Sequence, residues 1–384
     1  MHVMENSEDC KWNSHIAMTE ETPTPWNMTI GIGFHSDDDT QMTEQAIRFA
    51  HYTESVPIQC FIDRNWRKDH VLAKRKGLLD WQYLDKKNDR YNFVVAPDSN
   101  GKFRAILGFI PLSHFDDRIP QNDLIWLAIW QVTEECAGQK LGKLLLDHLQ
   151  ETIRPKIIAA NAISGTAAHR YRQNGWHIDR LGHYFIPNTS IQDHRLIVPG
   201  KPKHPECGSS IAKLETIPND IRDWLLNIAD VNLSKCEASK TAQYIVNRYL
   251  YHPFYRYTAW RVWQRRRCLG ILITRTCMHN GATALRIVEY FGPPSALYGL
   301  GDKWQRILRT HSHEYVDFYL GGIDPAFMSR CGFSRREEGD GWTVPDYYEP
   351  FARRNVEIDT MVSIQIPGML TFKGDSDQDR PNIL

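Results

Sequence analysis

Apolar and polar positions fall into short runs that switch between period two and helical spacing. "MTIGIGF" (28–34) predicts a strand. "DDDTQMTEQAIRFAHYT" (37–53) predicts a helix capped by Asp39 or Thr40, with an apolar face at Ala46, Phe49 and Ala50. A less regular stretch follows, then "YNFVVAPDSNGKFRAILGFIPL" (91–112), two β-rich runs about Asn100-Gly101, which predict a hairpin. Residues 125–150 predict a strand that passes through a glycine turn into a helix. "KIIAANA" (156–162) predicts a strand, "GTAAHRYRQNG" (165–175) a helix closed by Gly175, and "WHIDRLGHYFIP" (176–187) two strands. Pro and Gly in "PGKPKHPECGSS" (199–210) mark a boundary near 195–210.

Beyond it the plan repeats. Residues 213–233 and 239–250 predict helices, and 256–264, 268–277 and 282–292 predict strands, the last turn at Asn280-Gly281. A helix around Asp302 to Thr310 and a strand at 314–320 follow. "GTAAHRYRQNGW" aligns with "GIDPAFMSRCGF", placing Gly165, Gly175 and Trp176 on Gly322, Gly332 and Phe333. Two copies of one α/β unit account for this order.

Composition narrows the function. Lys+Arg and Asp+Glu are both 46, so bulk charge drives the chain toward neither nucleic acid nor an anionic membrane. Any phosphate binding must be local. The eight cysteines contain no CxxC, so neither a zinc ribbon nor a disulfide framework is indicated, and no metal site is expected. Residues 1–25 are polar and acidic and read as a flexible N-terminus without a signal-peptide pattern. No apolar run reaches the roughly 20 residues of a membrane span. The expectation is a cytoplasmic protein.

The turn at 137–143, "AGQKLGK", carries the first candidate chemistry. Binding a phosphate-like anion needs backbone N–H groups turned one way, small residues for close approach and a helix N-terminus behind them. Gly138 and Gly142 provide the room, and Lys140 and Lys143 add positive charge. Ordinary solvated lysines on a strand–helix turn are the plain alternative. "ALYGLG" (296–301) offers a similar spacing, but Asp302 stands at its helix start, where it would repel phosphate.

"AGQKLG" together with "AHRYRQNGW" resembles the GNAT superfamily of N-acyltransferases, although Ala137 and Lys140 depart from that family's Arg/Gln-x-x-Gly-x-Gly/Ala pattern. The resemblance covers about 27–190 and, more faintly, 210–345. It implies an α/β (α+β) fold of two GNAT-like units, each a central mixed, mostly antiparallel sheet flanked by helices. The N-terminal unit (26–200) would hold acetyl-CoA or another acyl-CoA, and the C-terminal unit (208–384) would be a degenerate copy carrying the tail. Cofactor contacts would come from Trp130, Val132, Gly138, Gln139, Lys140, Leu141, Gly142, Lys143 and Ser164. Tyr171 occupies the position from which the family often protonates the leaving thiolate; a tyrosine that merely packs helix on sheet reads equally well. The expected strand 123–132 has no carboxylate inside it, so no general base is assigned.

"VPDYYEPF" (344–351) and "TFKGDSDQDRPN" (371–382) resemble GNAT-like proteins encoded with enzymes of lipopolysaccharide and exopolysaccharide assembly, which implies an amino-sugar acceptor, often nucleotide-linked. Asp377, Asp379 and Arg380 are the expected acceptor contacts. The apolar run 364–372 would dock the tail in the cleft between the units. Two other readings stay open: an aminoacyl transferase of the peptidoglycan-bridge type, and a non-catalytic scaffold of polysaccharide assembly. Neutral charge weighs against the first, since its donor is a tRNA. "HSHE" (311–314) and "RRR" (265–267) read as surface residues closing a helix and a solvated hairpin turn.

Overall fold

Residues 47–229, 231 and 240–383 are described, in a computed structural model. The first part runs β1 (Arg48–His51), α1 (Ser55–Phe61), α2 (Val71–Lys74), α3 (Lys76–Tyr83), β2 (Leu84–Asp85), β3 (Arg90–Pro97), β4 (Phe103–Pro111) and β5 (Leu124–Val132). Then come α4 (Leu141–Ile153), β6 (Ile157–Asn161), α5 (Gly165–Gln173), β7 (His177–Arg180) and β8 (Gly182–Pro187). The second part runs β9 (Lys213–Thr216), α6 (Ile221–Ala229), α7 (Ala242–Ile245), β10 (Tyr257–Gln264), β11 (Arg267–His279) and β12 (Ala282–Phe291). It continues through α8 (Gly301–His311), β13 (His313–Gly321), α9 (Pro325–Arg330), β14 (Ser334–Arg335), β15 (Tyr347–Tyr348), β16 (Phe351–Ala352), β17 (Asp359–Val362) and β18 (Thr371–Phe372).

Two eight-stranded mixed sheets result. One is ordered β1-β3-β4-β5-β6-β17-β7, with β2 on β3; the other is ordered β14-β8-β13-β12-β11-β10-β9, with β18 on β13. Each has one parallel pair, β5/β6 and β12/β13. The expected fold class is therefore what the chain adopts, a mixed sheet with flanking helices in each of two units. The units also exchange strands: β8 lies in the second sheet and β17 in the first, between β6 and β7. Each sheet thus holds one strand from the far side of the boundary expected at 195–210.

Strand alternation divides the cores. Leu107, Phe109, Ile125 and Leu127 pack with Leu145 and Leu149 of α4, whereas Ile106, Ile110, Leu124 and Trp126 face inward. The inner cluster is continuous with Trp224, Tyr249, Ile271 and Val288 of the second part, so one core joins the units. The outer face of the second sheet packs around Trp304 of α8. Asn280-Gly281 and Arg265-Arg266 each adopt two successive positive φ values, the backbone of a tight two-residue hairpin.

Several expectations are corrected. The predicted strand at 28–34 and most of the 37–53 helix lie outside the described residues, but the end of that helix is instead β1, paired antiparallel with β3. Pairing along a sheet edge overrides the helical spacing of Phe49 and Ala50. Lys213 to Thr216 likewise form an edge strand. The helix begins only at Ile221, after Pro218 and with the Asp220 carboxylate accepting from the Arg222 amide at 2.8 Å. Glu314 is no surface residue: it is buried, and its carboxylate accepts the amides of Arg195 (2.6 Å) and Leu196 (2.8 Å).

The C-terminal segment is wedged between the units. Phe372, Asp375, Asp377 and Asp379 are buried. Asp379 accepts from the Tyr257 hydroxyl (2.6 Å) and from Arg275 (3.1 Å), and Lys373 pairs with Asp346. Asp375 and Glu289 share the ammonium of Lys240, and Tyr249 donates to Glu289 at 2.8 Å. Two carboxylates on one buried cation leave one charge too many; burial, set against Lys240, pushes Glu289 up to about 7.

For Asp379, burial works against the charged form, but Arg275 and the Tyr257 hydroxyl outweigh it and hold the carboxyl below its ordinary value. A depressed carboxylate pKa stabilises the fold above the unfolded value, about 3.9, and loses that contribution as pH falls through the folded value. Asp379→Ala leaves Arg275 buried with the longer contact to Glu349 (3.5 Å) as its remaining ion pair, so it should cost about 3 kcal/mol at pH 7 in urea unfolding. The gap to the wild type should shrink below about pH 4.

Candidate functional site

The site grows from a place where two parallel strands part. β5 pairs with β6 from Leu124↔Ile157 to Leu127↔Ala160 and no further. β5 nevertheless runs on to Val132, hydrogen-bonded on its other side to β4. Residues 128–132 therefore line an opening with no described strand on the β6 side. Opposite Gly108 the register slips, so that Leu107 faces Trp130 and Phe109 faces Leu127. One extra residue on β5 forms a bulge. It resets the alternation, so Trp130 and Val132 pack on the same face as Leu127, toward α4 and α5.

Beyond β5 a short turn leads to α4. Gly138 has φ +87° and Lys140 φ +59°, and no side chain caps the helix. The first amides of a helix have no intrahelical acceptor, so those of Leu141, Gly142 and Lys143 point out of its N-terminus. Gly142 is buried beneath the Trp130 ring: a Cβ there would stand 3.2 Å from Trp130 Nε1 and 3.5 Å from Arg170 Nη1. Arg170 brings a cation to this turn, and the sequence reading missed it. Its only signal was its place one residue before Tyr171. Gln139 is exposed and its amide donates to Cys136 O (3.2 Å), while the exposed Lys143 pairs with Asp147 one turn on.

Tyr171 of α5 is buried between two indoles, 5.8 Å from the Trp130 ring and stacked on Trp176 at 5.3 Å. Its hydroxyl has no hydrogen-bond partner among the described residues. Burial pushes its pKa well above the usual phenol value, against a smaller opposing effect of Arg170. The phenol is thus protonated at neutral pH. Ser164 caps α5, its hydroxyl accepting the Ala167 amide at 3.2 Å. The structure therefore gathers Trp130, Val132, Gly142 and Tyr171 on one face beside the α4 amides, with Ser164 at the start of the α5 helix.

The second unit repeats the geometry and closes it. β12 pairs with β13 up to Ile287↔Phe318, then continues to Phe291. Here the gap is filled by the tail: β18 pairs with β13 at Leu320 and Gly321, and the Gly374 amide donates to Val288 O at 2.8 Å. Residues 288–291 are all buried, whereas Trp130, Gln131 and Val132 are half-buried. The turn before α8 is covered too. A Cβ on Gly299 would lie 2.6 Å from the Ser209 backbone, and one on Gly301 would lie 2.7 Å from Cys207 Sγ.

Asp377, Asp379 and Arg380 are engaged with the protein itself. Arg380 donates to Asp377 (3.0 Å) and to His70 Nε2 (2.8 Å), and Tyr83 donates to Asp377 (3.4 Å). Burial, then the Arg380 charge, push His70 down to about 2, so its ring is neutral. Among the described residues no cluster of His, Cys, Asp and Glu could hold a metal, and no helix is long and apolar enough to cross a membrane.

No protein-family model matches the sequence, and no curated protein matches it. Solved structures do share its fold. A conserved protein of unknown function from Enterococcus faecalis, described as a probable N-acyltransferase, is 11% identical with a TM-score of 0.51 over 82% of this chain and 71% of that one. A GCN5-related N-acetyltransferase from Anabaena variabilis is 13% identical at 0.47, covering 82% and 71% of the two chains. An N-myristoyltransferase from Saccharomyces cerevisiae, solved with bound myristoyl-CoA, is 11% identical at 0.43, covering 88% and 84%. Identities this low speak of fold alone, and only the first score exceeds 0.5. The likeness is one of fold: two mixed sheets flanked by helices, each with a pair of parallel strands that part.

Proposed function

We propose that the chain is an acyl-CoA-dependent N-acyltransferase whose donor, acetyl-CoA, binds the first unit. One observation carries this reading: β5 leaves β6 after Leu127 and runs, half-buried, to the unpaired amides of α4. The opening suits an extended arm that bears amides of its own, because residues 128–132 offer it strand-like hydrogen bonds. The α4 N-terminus suits a pyrophosphate, with Arg170, Lys140 and Lys143 adding charge.

The chemistry is direct transfer. The free amine attacks the thioester carbonyl and its nitrogen gives up a proton to water, the C–S bond breaks, and the departing thiolate takes a proton. Tyr171 is the group for that proton: its phenol is protonated at neutral pH, and the Trp130 and Trp176 rings hold it in place. No covalent enzyme intermediate is needed, and Cys136 is buried as a small core residue. The acceptor class, an amino sugar of bacterial surface polysaccharide, rests on the sequence resemblance of residues 344–351 and 371–382. Release of CoA thiol in the presence of a panel of amino sugars, against other primary amines, tests it.

Gly142→Val should abolish CoA binding in a calorimetric titration, because the added side chain meets Trp130 and obstructs the amides. Normal binding by this variant would remove the α4 turn from the site. Tyr171→Phe should lower turnover by about 10²–10⁴-fold with CoA affinity nearly unchanged. An unchanged rate would leave Tyr171 a packing residue.

A further inference from the structure

The segment that fills the second unit's gap also reaches the first. Ser376 Oγ donates to Leu127 O at 3.2 Å, and Asn161 Nδ2 donates to Phe372 O at 3.0 Å. Leu127 is the last β5 residue paired with β6, and Asn161 is the last residue of β6. The tail therefore ties the two strands together at the vertex where they part. Ser376 is buried, and Arg248 holds the backbone on both sides of Asp375 by donating to the carbonyls of Gly374 (3.0 Å) and Ser376. Lys240 fixes Asp375 between them. A wall held by the buried Arg248 and the half-buried Lys240 does not yield readily.

From Val132 back to Leu127 the strand covers about 16 Å. An extended pantetheine arm laid along it from the α4 amides ends with its thioester at the vertex, and the acyl group then faces Ser376. We infer that the C-terminal segment is the floor of the acyl pocket, with Ser376 limiting the donor to a short acyl chain, and that the same segment leaves the chain a single acyl-CoA site. This rests on the acyl-CoA reading of the first unit. A long chain has no straight path past the vertex, because Ser376 and Phe372 bridge both strands there. The second gap offers no path either, since Gly374 occupies it so closely that a Cβ would stand 2.5 Å from the Tyr249 hydroxyl.

The test is titration of the intact chain with CoA, acetyl-CoA and octanoyl-CoA, in the wild type and in Ser376→Gly. Ser376 has φ +56°, a conformation glycine adopts freely, so this variant removes the side chain without straining the turn. Thermal unfolding checks that it folds. The wild type should take up one equivalent of CoA or acetyl-CoA, bind the two alike, and bind octanoyl-CoA at least tenfold more weakly. Ser376→Gly should narrow that gap at least threefold. Octanoyl-CoA binding as tightly as acetyl-CoA, a gap unchanged in Ser376→Gly, or uptake of two equivalents would each overturn the inference and leave the acyltransferase reading standing. Failure of CoA itself to bind would sink both.

Discussion

Two parallel strands that diverge leave a row of backbone N–H and C=O groups without partners, and a buried row cannot remain so. Each unit of this protein contains such a divergence, after Leu127 in one and after Ile287 in the other. The rest of the architecture is arranged around how the two rows are satisfied. In the second unit the chain's own end enters the gap and pairs with both sides. In the first, the row stays half-buried and leads to an uncapped helix. The same geometry is a core in one copy and a half-buried opening in the other.

Keeping the tail in place takes charge as well as apolar burial. Lys240, Arg248 and Arg275 all reach it, its carboxylates answer Lys240 and Arg275, and its own Lys373 pairs with Asp346. Buried pairs of this kind add little net stability over apolar packing, but removing one partner strands the other in a low-dielectric interior. Their effect is to fix register: Lys240 holds Asp375 and Arg275 holds Asp379, so a slip of one residue would unpair both. The strand exchange of β8 and β17 joins the units further, and one hydrophobic core runs through both.

Much of this was legible in local sequence. Asn100-Gly101, Asn280-Gly281 and Arg265-Arg266 mark turns because hairpin backbone geometry depends on the residues in the turn itself. The α4 turn and the α5 helix were legible for the same reason, since glycine spacing and helical periodicity are short-range signals. What escaped was decided at long range. Nothing in the four residues of β17 says that they enter the first sheet, and "KLET" becomes a strand only because β10 offers an edge. Arg170 reads as a solvated helix residue until the fold sets it beside Gly142. The acidic tail reads as a solvated segment or as sugar-binding carboxylates. The cations on its carboxylates lie more than a hundred residues away in sequence, except Arg380, so their pairing with it could not be read locally.

The central claim is that the first divergence is open to an acyl-CoA and the second is closed by the tail. Amide hydrogen exchange with and without saturating CoA reads both at once, residue by residue. The account predicts new protection over residues 128–143 and none over 288–301. Protection over 288–301 with 128–143 unchanged would contradict it.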